Sequence, residues 1–313
     1  MELLLHTENL KKYYGQKPLV RAVDEVSLDI WQGQSLALIG ESGSGKTTFG
    51  KLVSRLEKPT AGRILFMGRE IQNMRESEFR PLRRNLQIIF QSSGGVFDPS
   101  YTIGDSIREV LQNFEPLSRA EAEERIDEAL EKTGLDPALK LRYARQLSGG
   151  QCQRANIARA LVLRPKLVIC DEPVSSLDYS IRKQTLNLLN EIQQKNDVTY
   201  LLITHDLSNV SYVCSTVAIL FQGRVVEYLE GTDRIGERVC HPYSRRLFES
   251  IPAASPRLRT IGQEDEEPIL LPQGTQKGCP YADRCPECQA ACREEIPPLR
   301  EIGTGHQVAC LRR

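Results

Sequence analysis

The sequence predicts an α/β fold built on a parallel sheet, with a phosphate-binding loop at one strand end and a small cysteine-containing extension at the C-terminus. Three observations lead to this prediction. A glycine-rich segment, "GESGSGKTT" (40–48), follows the apolar run "SLALIG" and precedes the helical pattern "TTFGKLVSRLE". A second apolar run, "LVIC", ends in the acidic pair of "DEP". Five of the nine cysteines lie between residues 279 and 310, so the end of the chain differs chemically from its body.

Composition and charge exclude several broad classes. The 313 residues include 41 Lys+Arg and 41 Asp+Glu, so there is no basic excess of the kind that favours nucleic acid. The longest apolar runs are far shorter than the roughly 18 residues that a membrane helix needs. The N-terminal "MELLLHTENLKKYY" also lacks a basic region before an apolar core. We therefore expect a soluble, cytoplasmic chain without a nucleic-acid partner.

The glycine-rich segment fits the pattern G-x-x-x-x-G-K-[ST] and lies between a strand and a helix, as that motif requires. Its glycines let backbone N–H groups turn towards phosphate oxygens, and the helix adds its positive N-terminus. Lys46 would neutralise the outer phosphates, and Thr47 would offer its hydroxyl to Mg²⁺. The sequence thus predicts a loop that binds a nucleoside triphosphate, and the alternative is an ordinary glycine-rich turn. The residues assigned to it are Gly40, Glu41, Ser42, Gly43, Ser44, Gly45, Lys46, Thr47 and Thr48.

Two further strand ends carry candidate catalytic groups. Asp171 and Glu172 follow the strand over 167–170, and His205 follows the apolar run "TYLLIT". Carboxyl ends of parallel strands face the crevice in which nucleotides bind. Asp171 would there hold Mg²⁺, Glu172 would polarise the attacking water, and His205 would hold that water and donate to the γ-phosphate. The alternative for the acidic pair is an ordinary solvated turn.

A second phosphate-binding device is predicted at "LSGGQ" (147–151). Ser148, Gly149, Gly150 and Gln151 stand just before or at the start of a helical pattern, so a hydroxyl and free N–H groups meet at a helix N-terminus. The P-loop of the same chain already holds the γ-phosphate. We therefore expect this helix to cap the nucleotide of a second cassette, in a head-to-tail dimer with two shared sites.

Together these motifs, with "SSLD" and "ITHD" in the same order, resemble the ATP-binding cassette (ABC) family over roughly residues 3 to 235. The resemblance implies a P-loop NTPase cassette with a RecA-like core, an antiparallel β portion and a helical subdomain at about 91–158, all within an ATPase domain at 1–237. It also implies that Gln91 links the Mg²⁺ site to a membrane partner.

Two more roles come from the same resemblance. Tyr14 would stack on adenine, and its neighbour Tyr13 is the competing candidate, since alternation along a strand turns only one of them to the base. Asp178 of "SSLD" would orient contacts across the dimer; alternatively it only caps the helix that follows.

The chain after residue 238, beginning with "HPYSRRLFESIP", resembles the C-terminal extension of the di- and oligopeptide import ATPases, a group that includes nickel and other metal-chelate importers. The resemblance implies an ATPase at the cytoplasmic face of the cell membrane. Its partners would be a related but different ATPase chain, two membrane-spanning permease subunits and an external substrate-binding protein. The alternative from another class is a soluble cassette ATPase whose metal-bearing tail senses redox state or engages a non-membrane partner such as the ribosome.

The family's four-cysteine pattern maps to Cys279, Cys285, Cys292 and Cys310 and leaves Cys288 as an addition. Clustered cysteines in a reducing compartment more often bind metal, or are buried thiols, than form disulfides. Four thiolates suit either a [4Fe–4S] cluster or Zn²⁺. The resemblance favours the cluster, and the C-x2-C spacing of Cys285 and Cys288 makes Zn²⁺ the alternative. With some 240 residues between the P-loop and this segment, we expect the extension to be separable from ATP binding.

Overall fold

The structure, a computed structural model, describes residues 2–90, 95–175, 177–250 and 277–313. The strands are β1 (Leu3–Tyr14), β2 (Val20–Trp31), β3 (Leu36–Ile39), β4 (Ala61–Phe66), β5 (Arg69–Glu70), β6 (Leu86–Ile89), β7 (Leu167–Asp171), β8 (Thr199–Thr204), β9 (Thr216–Phe221), β10 (Arg224–Glu230), β11 (Arg300–Gly303) and β12 (His306–Val308). The α-helices are α1 (Lys46–Val53), α2 (Glu76–Arg83), α3 (Ile103–Phe114), α4 (Arg119–Lys132), α5 (Gly149–Leu161), α6 (Tyr179–Asn196), α7 (Ile235–Arg238), α8 (Pro242–Glu249) and α9 (Ala290–Glu294). Within these ranges, no helix combines the length and the apolar character that a bilayer span requires.

Two sheets form the body of the protein. The larger has the order β11-β12-β10-β9-β3-β8-β7-β6, and β9, β3, β8, β7 and β6 run parallel to one another. The smaller is antiparallel, in the order β2-β1-β4-β5. Because β8 lies between β3 and β7, the predicted P-loop, acidic pair and histidine follow three adjacent strands at one edge.

The central strand β3 is buried on both faces. Leu36 and Leu38 pack into a core shared with the antiparallel sheet. Ala37 and Ile39 face the opposite core, which α6 and α8 cover. Burial on both faces is the reason why this strand reads as an unbroken apolar run rather than an alternating one.

A third core lies among α3, α4 and α5 and includes Ile107, Ile126 and Ala155. The capping box predicted at the start of α4 is confirmed. Glu121 N–H donates to Ser118 Oγ at 3.3 Å, and Ser118 N–H donates to a carboxylate oxygen of Glu121 at 2.8 Å. This helical unit carries the "LSGGQ" segment at the N-terminus of α5.

The described part of the extension continues the main sheet. β12 pairs antiparallel with β10, and β11 pairs with β12. Tyr281 is 1% exposed and belongs to the same core as Ile39. The extension therefore shares both the sheet and the core of the ATPase body.

Candidate functional site

The P-loop joins the C-terminal end of β3 to α1. Gly45, which precedes α1, has a φ of 106°, and a Cβ there would lie 2.0 Å from Ala22 O. A Cβ on Gly40 would lie 2.2 Å from Leu220 O. Neither position has room for a side chain, because the loop is in close backbone contact with β2 at Gly45 and with β9 at Gly40. Gly223 N–H, in the β9–β10 turn, also donates to Ser44 O at 2.8 Å.

Lys46 turns back beneath this loop. Its Nζ donates to Gly40 O and to Glu41 O, both at 2.8 Å, and the residue is only 6% exposed. Burial lowers the pKa of Lys46, and the carboxylates of Glu172 and Asp171 act in the opposite direction. A depressed pKa indicates that burial of the ammonium is incompletely compensated. The phosphates of a nucleotide would supply the missing negative charge.

Asp171 ends β7, and its Oδ1 accepts a hydrogen bond from Thr47 Oγ1 at 3.1 Å. Burial raises the pKa of Asp171, against the effect of the Thr47 hydroxyl. A raised pKa marks a carboxylate that lacks sufficient positive charge around it. The hydroxyl and carboxylate oxygens at this point are donors of the kind that Mg²⁺ prefers, so the residues present fit a magnesium site.

Glu172 and His205 meet at the same edge. A carboxylate oxygen of Glu172 lies 2.8 Å from Nδ1 of His205, which directly follows β8. Glu172 has a left-handed backbone with a φ of 48°, and its N–H donates to Ile203 O at 2.9 Å. Such a backbone is unusual away from glycine and often marks a functional position. The sequence-based expectation that strand order would bring these two side chains together is confirmed.

The "LSGGQ" segment (147–151) forms the capped N-terminus of α5, and this helix end is exposed at the surface. Gln151 N–H donates to Ser148 Oγ at 3.3 Å, while Gln151 Oε1 accepts from Ser148 N–H at 3.0 Å. Ser148 and Gly149 are exposed, and no atom lies within 4 Å of a Cβ built on Gly149. Gly150 faces inward, where a Cβ would lie 3.0 Å from Ile181. Within the described ranges, no hydrogen bond or ion pair of the P-loop reaches this segment.

Tyr14 and Tyr13 point to different surroundings, as the alternation along β1 predicts. Tyr14 is 38% exposed, donates to Glu57, and has Thr48 of α1 as a second neighbour of its hydroxyl. Tyr13 instead donates to Asp24 at 2.5 Å. Of the two rings, Tyr14 is therefore the one beside the P-loop helix.

Two predicted residues remain without support from contacts. Asp178 is exposed and occupies the N-cap position of α6, but its side chain makes no capping hydrogen bond. The alternative that Asp178 only caps α6 therefore has no hydrogen bond to support it. Gln91 lies outside the described residues.

The extension contacts the P-loop directly at Glu41. The Arg284 guanidinium forms two hydrogen bonds with the Glu41 carboxylate, at 3.0 and 3.1 Å. The Glu41 N–H donates to the Tyr243 hydroxyl oxygen at 2.9 Å. The extension and the P-loop are far apart in the sequence but in contact in the structure. These contacts do not agree with the expectation that the extension is separable from the nucleotide site.

The four family-pattern cysteines line one cavity of about 20 Å³, and Cys288 is not among its lining residues. In the described part of the chain, no three of their sulfurs lie within 4.8 Å of one another. A single Zn²⁺ with Zn–S near 2.3 Å would bring the sulfurs to about 3.8 Å, and the cavity has room for roughly one water molecule. Either zinc or a larger cluster would thus require the cysteine side chains to rotate. The thiol donor set itself fits both.

Glu227 is a buried carboxylate that the sequence did not single out. It is fully buried in β10 and accepts from Cys240 N–H at 2.6 Å, His241 N–H at 3.1 Å and His306 Nε2 at 2.8 Å. Ligand-type atoms of Glu227, Cys240 and His306 lie within 4.8 Å of one another. Because both carboxylate oxygens already accept hydrogen bonds, we interpret the cluster as structural: it ties β12 and the start of α8 to β10.

Sequence reasoning also missed Tyr243 and Arg284. Tyr243 belongs to the quoted "HPYSRRLFESIP" segment, and Arg284 lies one residue before Cys285. Nothing in the pattern of either segment indicates a contact with the P-loop, because that contact depends on how β9 and the extension pack together.

Comparison with known proteins agrees with this architecture. The family described as "ABC transporter" matches residues 23–175, and "Oligopeptide/dipeptide transporter, C-terminal region" matches residues 226–292. The oligopeptide transport ATP-binding protein AppF of Bacillus subtilis is 38% identical over 99% of this chain and 97% of its own length. OppF of Escherichia coli, with the same description, is 39% identical over 96% of this chain and 91% of its own.

Solved ATP-binding cassettes have the same fold. CbiO1 of Clostridium perfringens, part of an ABC transporter complex, aligns with a TM-score of 0.68 and 28% identity over 80% of this chain and 97% of that one. The dimeric cassette MJ0796 bound to ADP and phosphate aligns with a TM-score of 0.66 and 26% identity over 72% and 98%. The predicted cassette fold is confirmed, and the chain belongs to the ABC transporter family as an ATPase with an oligopeptide/dipeptide-transporter C-terminal region.

Proposed function

We propose that this ATPase powers the import of di- or oligopeptides. The observation that carries the proposal is the similarity to two oligopeptide transport ATP-binding proteins along almost the whole chain, extension included. The chain would act at the cytoplasmic face of the membrane through two permease subunits. A second, related ATPase chain and an external binding protein would complete the importer. In this proposal, residues 1–237 are the ATPase domain and 238–313 the extension.

We propose the following roles for the residues at the sheet edge. The P-loop N–H groups and Lys46 bind the phosphates, and Tyr14 stacks on adenine. Thr47 and Asp171, with Gln91, hold Mg²⁺, which when bound neutralises phosphate charge. Support comes from the burial of Lys46 and Asp171, which lowers the pKa of Lys46 and raises that of Asp171. The phosphates of ATP would supply the negative charge that Lys46 lacks, and Mg²⁺ would supply the positive charge that Asp171 lacks.

Hydrolysis requires a water that is deprotonated as it attacks. Glu172 would take that proton, since its carboxylate lies at this sheet edge, 2.8 Å from Nδ1 of His205. His205 would orient the water and the γ-phosphate. The two groups therefore act as base and positioning partner.

We propose that each nucleotide is shared between two ATPase chains. Ser148, Gly149, Gly150 and Gln151 would cap the nucleotide held by the partner's P-loop, with Asp178 in the same interface. The exposure of Ser148 and the open space beside Gly149 support this role. A helix N-terminus with free N–H groups favours a phosphate there.

For the extension, we propose that Cys279, Cys285, Cys292 and Cys310 ligate a [4Fe–4S] cluster, with Zn²⁺ as the alternative. Their common cavity supports a shared ligand. Purification without oxygen, followed by iron, acid-labile sulfide and zinc analysis, separates the two. About four iron and four sulfide per chain would support the cluster, and one zinc per chain would support the alternative. A chain that contains neither iron nor zinc would reject the metal site.

Cargo is tested by uptake in cells that lack this chain. Reintroducing it should restore uptake of a radiolabelled tripeptide, whereas Glu172→Gln should not. A matched control, Glu191→Gln, makes the same chemical change on the exposed face of α6 and should restore uptake fully. Restored uptake of nickel without restored peptide uptake would replace the peptide by a metal cargo. No transport defect in the deleted strain would overturn the importer proposal.

A further inference from the structure

Every polar group of Glu41 has a partner: Ser44 and Lys46 within the loop, and Tyr243 and Arg284 from the extension. Its carbonyl accepts from Lys46 Nζ at 2.8 Å, its N–H donates to Tyr243, and its carboxylate pairs with Arg284. The second residue of the P-loop is thus held from outside the loop. Its orientation depends on residues more than 200 positions later in the chain.

Aromatic packing fixes these two partners in place. Tyr243 and Tyr281 are each 1% exposed, and both pack on Phe221 at the end of β9, with ring centroids 4.5 and 5.3 Å away. The Arg284 guanidinium lies 5.8 Å from the centroids of Phe221 and Tyr281. Because this cluster is buried and close-packed, a displacement of the extension is transmitted to Glu41 rather than absorbed.

We infer that Arg284 and Tyr243 are positioning residues of the P-loop, through which the C-terminal extension sets the affinity of this chain for nucleotide. The two-hydrogen-bond geometry between Arg284 and Glu41 orients the carboxylate as well as attracting it. Tyr243 fixes the peptide that leads into the loop. Since Lys46 bonds the carbonyl of the same residue, the position of its ammonium is linked to these contacts. This inference rests only on ATP binding by the P-loop, not on the cargo.

The coupling is reciprocal, because two sites that influence each other do so by the same free energy. Nucleotide bound at the P-loop should therefore stabilise the described turn that carries Arg284. A contact with a purely structural role would not respond to nucleotide in this way. Protection of residues 277–292 from hydrogen exchange is the corresponding readout.

The test uses the full chain and Mg–AMPPNP, a nucleotide that is not hydrolysed. Arg284→Gln should weaken AMPPNP binding about threefold to tenfold, since the ion pair is partly exposed but has two hydrogen bonds. Arg284→Lys, which keeps the charge but not the fork, should fall in between. The control Arg293→Gln removes an exposed ion pair of the same extension, that with Asp283, and should leave the affinity within twofold.

A double-mutant cycle separates coupling from general destabilisation. Arg284→Gln should cause no further loss of affinity in a Glu41→Gln background, and AMPPNP should slow hydrogen exchange over 277–292 in the wild-type chain only. Additive losses, an affinity equal to that of Arg293→Gln, or exchange that ignores AMPPNP would each overturn the inference. A wild-type chain that fails to bind AMPPNP would instead overturn the ATPase assignment on which it rests.

Discussion

Glu172→Gln changes the charge of the proposed base while keeping its shape. The Glu172 N–H bond to Ile203 O belongs to the backbone and is retained, and glutamine suits the left-handed backbone as well as glutamate does. The fold should therefore change in stability by less than about 1 kcal/mol. A general base contributes about 10² to 10⁴ to the rate, or ~2.7 to 5.5 kcal/mol of transition-state stabilisation. The variant should bind ATP, turn over at least about 10²-fold more slowly, and accumulate as an ATP-bound dimer.

The assay measures phosphate release at saturating ATP, in parallel with nucleotide binding and thermal unfolding. Glu191→Gln is the matched control, since Glu191 lies on the exposed face of α6 and forms a surface ion pair with Lys195, one turn later. It should retain the wild-type rate. Near-normal hydrolysis by Glu172→Gln in the assembled transporter would refute the assignment of the base. A loss of ATP binding in that variant would show that the carboxylate supports the site rather than the chemical step.

Three further changes test separate parts of the structure. Lys46→Ala removes the ammonium beneath the P-loop and should reduce ATP affinity at least tenfold, measured by titration; an unchanged affinity would contradict the P-loop assignment. Ser148→Arg places a cation at the proposed position of the partner's γ-phosphate, so the isolated chain should still bind ATP but should not dimerise with it on a sizing column. Glu227→Gln replaces a carboxylate oxygen by an N–H donor that faces other donors, which should lower the free energy of unfolding by about 1–3 kcal/mol. The variant should therefore have a lower melting temperature, while its affinity for Mg–ATP should fall less than that of Lys46→Ala. An unchanged melting temperature would contradict the structural role of Glu227.

Local sequence patterns predicted the parts of the site that local physics determines. A P-loop needs glycine where no Cβ fits, and Gly40 and Gly45 meet backbone oxygens in just that way. The hydroxyl of Ser148 at the N-terminus of α5 follows from its place just before a helical pattern, which can be read directly from the chain. The meeting of Glu172 with His205 followed from one additional rule, that adjacent parallel strands end at the same edge.

Contacts between distant segments were not predictable in the same way. Glu227 occupies a strand position with no neighbouring signal, and its three donors arrive from residues 240, 241 and 306. Arg284 reaches Glu41 from a segment whose Tyr281 packs on Phe221 of β9. Such pairings depend on tertiary packing, and a single sequence contains no periodicity or spacing that reports them.

In the proposed importer, ATP hydrolysis at this sheet edge drives peptide import. The most direct measurement is the ATPase rate of the assembled importer in lipid vesicles, with the external binding protein either empty or loaded with peptide. We expect that the loaded binding protein raises the ATPase rate severalfold and that peptide accumulates on the side of the membrane opposite to the binding protein. A rate that is the same with and without peptide, in vesicles whose ATPase activity Glu172→Gln abolishes, would contradict this expectation.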